Sequence, residues 1–244
     1  MMEVVDYDVL IVGAGFAGSE AAHALAQKGV RVGLVTTSLD SVYLPFTPIR
    51  GPFPQGSLLA LVGEDGLGGW ELHRRAKYRL ENHPQIHLLQ LSVTGLIRQG
   101  PAVVGIESWE GPRKTAHKVV LAVGSFLSPR LSIGQVTDEA GRLSEVAYPD
   151  LYQYLEQLGF AFTSQQAEVA EQDTTPGYRV EYKVFADGEW DVASFRLHRL
   201  EGLYGLGLCV LGQGTYTQMA QEGLRLAEAL GQPHSPTKEA FGGP

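Results

Sequence analysis

The sequence predicts an α/β chain: a parallel sheet with an inserted antiparallel β-meander and a small extra β-hairpin region. Three observations carry this. Val9 to Val12 form a continuous apolar run, followed at once by Gly13, Gly15 and Gly18 in G-x-G-x-x-G spacing and an alanine-rich helical pattern. Residues 95–118 hold short β-like pieces broken by Gly100-Pro101 and Gly111-Pro112, the pattern of a meander. Leu206 to Leu211 form a last apolar run, followed by Gly212-Gln-Gly-Thr215 and a closing helical stretch.

The first element sets the order of the rest. An apolar run suits a strand buried on both faces. Gly13 lets the chain turn sharply, Gly15 has no Cβ to block a pyrophosphate, and Gly18 lets the helix pack on the sheet. The helix start then points free N–H groups at phosphate. A glycine-rich turn in another kind of α/β protein is the bland alternative, and the strand-to-helix context weighs against it.

The first helix spans about Phe16 to Lys28, and Val30 to Thr37 read as the second strand. In dinucleotide folds that strand usually ends in an acid that bonds the ribose. Thr36, Thr37 and Ser38 occupy its place, with Asp40 close by as a ribose acceptor or a plain loop residue. No Arg or Lys follows directly, which weighs against a 2′-phosphate. Residues 41–69 carry Pro45, Pro48, Pro52 and Pro54 and read as a long loop, functional or mobile. Trp70 to Asn82 read as a helix whose Arg74, Arg75, Lys77 and Arg79 face either an anionic partner or, in the plainer reading, solvent. Ile86 to Val93 read as a third parallel strand and Val119 to Val123 as a fourth. Residues 131–147 read as a loop and Asp150 to Leu158 as a helix. Tyr178 to Phe185 and Trp190 to Leu197, around Asp187-Gly188, read as a hairpin. Thr217 to Leu230 read as the closing helix. The domain reading is 1–135 with 201–232 as the Rossmann-like part, 136–200 as a small α+β excursion and 233–244 as a disordered tail.

Composition narrows the class. At 244 residues, 44% hydrophobic and 19% charged, the chain can bury a sizeable core. A net charge of −8 argues against broad affinity for nucleic acid. No apolar run approaches the roughly 20 residues of a membrane span, and the first strand begins too near Met1 for a signal peptide. The single cysteine, Cys209, allows no intramolecular disulfide and fits a cytoplasmic location. None of the seven histidines is paired with Cys, Asp or Glu at metal-ligand spacing, so no metal is expected.

The first fingerprint alone allows NAD or FAD. The meander stands where NAD-type folds usually have a crossover helix. Thr115-Ala-His-Lys-Val-Val-Leu-Ala-Val-Gly124 resembles the second flavoprotein fingerprint, and Leu208-Cys-Val-Leu-Gly-Gln-Gly-Thr215 resembles the turn that holds a flavin's ribityl chain. Together they point to a Rossmann-like FAD-binding domain. The chain is more closely similar to the GidA/MnmG family of tRNA wobble-uridine modification flavoproteins, and to the related folate-dependent tRNA methyltransferases. The resemblance rests on Gly13-Ala-Gly-Phe-Ala-Gly-Ser-Glu-Ala-Ala22, Thr36-Thr-Ser-Leu-Asp40, Val119-Val-Leu-Ala-Val-Gly-Ser-Phe-Leu127 with Ile133-Gly134, and Leu211-Gly-Gln-Gly-Thr215 with Ala220-Gln-Glu-Gly-Leu224. No motif matches over about Gln165 to Leu200.

The resemblance implies FAD as cofactor and a set of contacts. Gly13, Ala14, Gly15, Phe16, Ala17 and Gly18 fall at the pyrophosphate; Thr36, Thr37 and Ser38 at the adenosine ribose; and Val93 at the adenine. Ala122, Gly124 and Ser125 close the phosphate side, and Gly212, Gln213, Gly214 and Thr215 the flavin side. It also implies a longer protein, with an NADH- and tRNA-linked insert and a helical C-terminal domain that docks a GTPase. Neither fits in this length. The family's cysteine in the loop after the second strand is replaced here by Tyr43-Leu-Pro-Phe-Thr-Pro48. Cys209 reads as a small buried hydrophobe rather than a nucleophile. His73 and His198 are candidate proton donors, and Tyr43, Tyr204 and Tyr216 candidate covers for the flavin ring, each with a structural reading beside it. Two functions stay open: an FAD-dependent oxidoreductase acting on a tRNA base or a small molecule, and an FAD-carrying module that needs a partner protein to supply the missing domains. Dimerisation with a second copy is left open as well.

Overall fold

The computed structural model describes residues 5–171 and 176–231. Its elements follow the local chemistry of the chain. The apolar run is β1 (Tyr7–Val12), buried at every position. It leads into α1 (Phe16–Gln27), which ends at Gly29 with φ +80°, and then β2 (Val32–Thr36). The long loop holds a short helix, α2 (Leu58–Val62), capped by the Ser57 side chain, before α3 (Gly69–Glu81). The segment expected as one strand over 86–93 is split into β3 (Ile86–Gln90) and β4 (Val93–Gln99), because β4 turns away into the meander. The meander continues through β5 (Ala102–Ser108) into β6 (Arg113–Leu121).

One sheet runs in the order β3-β2-β1-β6-β5-β4. β1 pairs parallel with β2 and with β6, placing Val12 beside Val35 and Leu121. β6 has two partners on its other side. Its first residues pair antiparallel with β5 (Gly105 with Thr115), and its last pair parallel with β13 (Leu203–Gly205), where Gly205 meets Leu121. The meander's last strand and the expected fourth parallel strand are therefore one element. This joins the inserted meander to the parallel part of the sheet through one shared strand.

Past the sheet come β7 (Arg130–Ile133), β8 (Val136–Asp138), β9 (Ala140–Arg142), β10 (Glu145–Val146), α4 (Pro149–Gln157), β11 (Phe162–Val169) and β12 (Tyr178–Phe185). A second sheet forms in the order β11-β12-β7-β8, and β9 pairs with β10. Three expectations need correction here. Residues 131–147 form short strands rather than a loop. Trp190 and Leu197 share only an isolated bridge, so the hairpin with 178–185 does not form. β11 pairs along the whole of one edge of β12, and β7 takes Arg179 to Glu181 on the other. Leu206 to Leu211 are not a strand: Gly207 turns the chain at φ +73° into the short helix α5 (Leu208–Leu211).

The closing helix α6 (Tyr216–Leu230) packs on α1 through Gly223, where a Cβ would lie 2.5 Å from that of Glu20. These helices and α3 bury one face of the sheet with Val9, Ile11, Leu25, Leu34 and Leu226. Leu10, Val12, Leu121, Leu151 and Leu155 fill the other face beneath α4. The expected disordered tail, 233–244, lies outside the described residues. Among the described residues no helix is long and apolar enough to cross a membrane.

Candidate functional site

A cleft of about 1290 Å³ opens where β1, β2 and β6 end, with the second sheet as its far wall. The three glycines of the first turn divide their work. A Cβ on Gly13 would lie 2.3 Å from the Ala122 carbonyl oxygen, and one on Gly18 would lie 1.9 Å from that of Gly13. These two exist for close packing of strand, turn and helix. Gly15 has no heavy atom within 4 Å of where a Cβ would stand, so its bareness serves the cleft rather than the fold. Gly15 is also the N-cap of α1 and offers no capping side chain, leaving the first amides of the helix unclaimed.

A second helix start meets the same cleft. Thr215 caps α6 with a reciprocal capping box: its Oγ1 accepts from Gln218 N at 3.2 Å, and its N donates to Gln218 Oε1 at 2.8 Å. The two starts are joined by rings. Phe16 stacks on Tyr43 with centroids 4.0 Å apart and meets Tyr216 at 4.3 Å. Tyr216 Oη accepts from Phe46 N at 2.7 Å and Thr47 N at 3.0 Å, which pins the proline-rich loop over the cleft.

That loop is held from below and from above. Below, Glu20 on α1 accepts from the Tyr43 hydroxyl, from Leu58 N at 2.7 Å and from Leu59 N at 2.8 Å. Burial pushes its carboxyl above the usual range against the pull of these donors. Above, Arg142 on β9 donates to Leu44 O at 2.8 Å and Pro45 O at 2.9 Å, and its guanidinium sits 4.6 Å from the Phe46 ring centre. The β9–β10 hairpin reaches this position because Gly141 lies against Phe126 and accepts from Ser125 Oγ at 2.9 Å. Glu145 lines the cleft beside Arg142, 3.4 Å from its Nε, and burial raises its carboxyl. On the far wall Tyr182 of β12 donates to Gly212 O and lines the cleft with Val180.

Of the residues singled out in the sequence, Gly13, Ala14, Gly15, Phe16, Ala17, Thr36, Thr37, Ala122, Gly124, Ser125, Gln213, Gly214 and Thr215 all line this one cleft. Gly18, Ser38, Val93 and Gly212 stand outside its lining; Val93 is buried at the start of β4. Tyr216 lines the cleft, whereas Tyr43 is wholly buried behind Phe16 and Tyr204 sits on β13. Neither His73, whose Nδ1 is 2.6 Å from Val42 O, nor exposed His198 reaches it. Cys209 is fully buried on α5, its thiol donates to Leu121 O at 3.2 Å, and burial pushes its pKa up to about 11. A thiol so held is no nucleophile at neutral pH. The cations of α3 are largely answered at home: Arg74 and Arg75 pair with Glu71, and Lys77 with Glu81 at 3.8 Å. Among the described residues no group of three His, Cys, Asp or Glu side chains could hold a metal ion. Arg142, Glu145 and Tyr182 were not legible in the sequence, because each reaches the cleft from a segment with no motif.

A parallel sheet with a glycine-rich first turn, a meander in the crossover position and a late helix start facing the same cleft defines a Rossmann-type flavoprotein of the FAD-binding class. Within that class the chain belongs to the family described as Glucose inhibited division protein A, whose sequence profile matches residues 8–51 and 70–172. It is similar to the solved GidA-related protein from Thermus thermophilus, with 55% identity, a TM-score of 0.86, and 92% of this chain and 97% of that one covered. It is also similar to Aquifex aeolicus GidA, at 16% identity and a TM-score of 0.80 over 97% of this chain and 66% of that one, a likeness of fold alone. Among curated relatives, the tRNA uridine 5-carboxymethylaminomethyl modification enzyme MnmG of Syntrophobacter fumaroxidans is 34% identical over 188 residues, 63% of this chain and 29% of the relative. The chain thus spans about three tenths of the length of the curated relatives it matches.

Proposed function

We propose that the chain is an FAD-dependent oxidoreductase in which one extended cofactor occupies the cleft from the Thr36–Thr37 corner to the Gly212–Thr215 turn. The observation carrying this is the joining of two helix starts, at Gly15 and Thr215, by the Phe16–Tyr216 contact within a single cleft. The residues fit the group. Gly15 leaves room for a pyrophosphate and the α1 amides supply its donors, while Gly13 and Ala122 to Ser125 close the opposite side. Bound flavin supplies two-electron transfer chemistry that no side chain here offers. The protein's part is binding, orientation and electrostatics. The α6 start places positive dipole beside the turn at Gly214, which favours the anionic reduced form over the oxidised one. Phe46, pinned by Tyr216 and Arg142, covers the cleft and limits water.

A tRNA uridine is the substrate suggested by the named activity of the curated relatives, and a small molecule is the alternative. The short span relative to those relatives favours a second reading, an FAD-carrying module that turns over only with a partner protein. Anaerobic NADH added to the purified yellow protein separates the two. Bleaching of the oxidised flavin's visible absorption on the time scale of turnover supports the oxidoreductase. Flavin that stays oxidised supports the module. Protein that cannot take up FAD contradicts both.

A further inference from the structure

In dinucleotide folds the acid that bonds the ribose hydroxyls usually ends the second strand. Here that place holds hydroxyl side chains, and those of Thr36 and Ser38 are engaged with neighbouring backbone. Thr36 Oγ1 donates to Ser38 O at 3.0 Å and accepts from Ser38 N at 3.3 Å. Ser38 Oγ accepts from Asp40 N at 3.3 Å, and Thr37 lies beside the Tyr148 side chain. Asp40 is exposed and stands outside the cleft lining.

A carboxylate reaches this corner from another part of the chain. Glu145, on β10, lines the same cleft as Thr36, Thr37, Ser41 and Tyr148. Arg142 Nε lies 3.4 Å from it, Ser41 stands close by on the other side, and its side chain is 16% exposed. A carboxylate offers about four acceptor directions, so these two neighbours leave acceptor capacity facing the cleft. Its position is built in, since Ser125 grips Gly141 and Arg142 grips the loop at Leu44 and Pro45.

We propose that Glu145 is the specificity-determining acceptor for the ribose hydroxyls of the adenine nucleotide, replacing the acid missing after β2. This rests on the FAD reading. A carboxylate here also disfavours a 2′-phosphate, in keeping with the lack of Arg or Lys after Thr37.

The test uses deflavinated full-length protein titrated calorimetrically with ADP and with 2′,3′-dideoxy-ADP, which lacks both hydroxyls. Wild type should bind ADP at least tenfold more tightly, as expected for charge-assisted hydrogen bonds. Glu145→Ala should bring the two affinities within about twofold. Glu145→Gln, which keeps the volume and one acceptor, should retain part of the preference and serves if the alanine variant does not fold. A purely structural role for Glu145 would weaken both nucleotides by the same factor and leave their ratio intact, which overturns the proposal; so does a wild-type ratio near one. Wild type that binds neither FAD nor ADP overturns the FAD reading itself, before any variant is made.

Discussion

The Tyr43 hydroxyl donates to the Glu20 carboxylate across 23 residues of chain, and the same carboxylate takes the N–H groups of Leu58 and Leu59. One acid on α1 therefore anchors both ends of the loop that roofs the cleft. Removing one donor from a buried carboxylate leaves part of its desolvation uncompensated. Tyr43→Phe should cost about 1–3 kcal/mol, read from urea unfolding of the apoprotein. An unchanged midpoint would show that the hydroxyl is not the anchor.

Gly15 and Gly18 make opposite predictions from one motif. Gly18→Ala drives a Cβ into the Gly13 carbonyl and should destabilise the protein on the order of 3 kcal/mol. Gly15→Ala meets empty space at a φ of −71° that alanine adopts freely. It should melt near wild type without cofactor yet lose FAD affinity at least tenfold. Thermal melts and flavin titration of both variants check the contrast.

Glu189 pairs bidentately with Arg199, at 2.7 and 2.6 Å, and accepts from Ala161 N at 3.0 Å. The arginine holds its carboxyl below the usual range. A depressed folded pKa contributes stability above the unfolded value, about 4.3, and that stability disappears as pH falls through the folded value. Glu189→Gln should therefore lower the urea midpoint at pH 7, and the gap from wild type should close as pH falls below about 4. A gap that persists unchanged in acid would mean the carboxylate's charge does not contribute.

Cys209 should be silent. With its thiol pushed up to about 11 and wholly buried, it should react with a disulfide reagent only on unfolding. Cys209→Ala should cost about 1 kcal/mol and leave flavin binding intact. Fast labelling of the native protein would contradict this.

The parts legible in the sequence are those where a local pattern suffices. β1 and α1 announce themselves through an apolar run, three spaced glycines and small residues; α4 does so through its stripe of Leu151 and Leu155. The run from Leu206 to Leu211 reads as a strand because a short buried apolar stretch has no period long enough to separate strand from helix. The left-handed Gly207 decides the matter, and one sequence does not show its φ. The hairpin at Asp187-Gly188 gives way to tertiary pairing: β11 takes one whole edge of β12, and β7 takes Arg179 to Glu181 on the other. Arg142 and Glu145 are invisible in the sequence for a similar cause. They lie in a polar stretch about a hundred residues from Thr37 and Leu44, and tertiary contacts such as the Ser125 bond to Gly141 bring them over the cleft.

A single FAD in the cleft between Gly15 and Thr215 is measurable by titrating deflavinated protein with FAD and following flavin fluorescence. Binding should saturate at one FAD per chain and be abolished or weakened at least tenfold by Gly15→Ala, while Cys209→Ala titrates like wild type. Folded wild-type protein that binds no FAD, or a Gly15→Ala variant that binds it equally well, would rule out this placement of the cofactor.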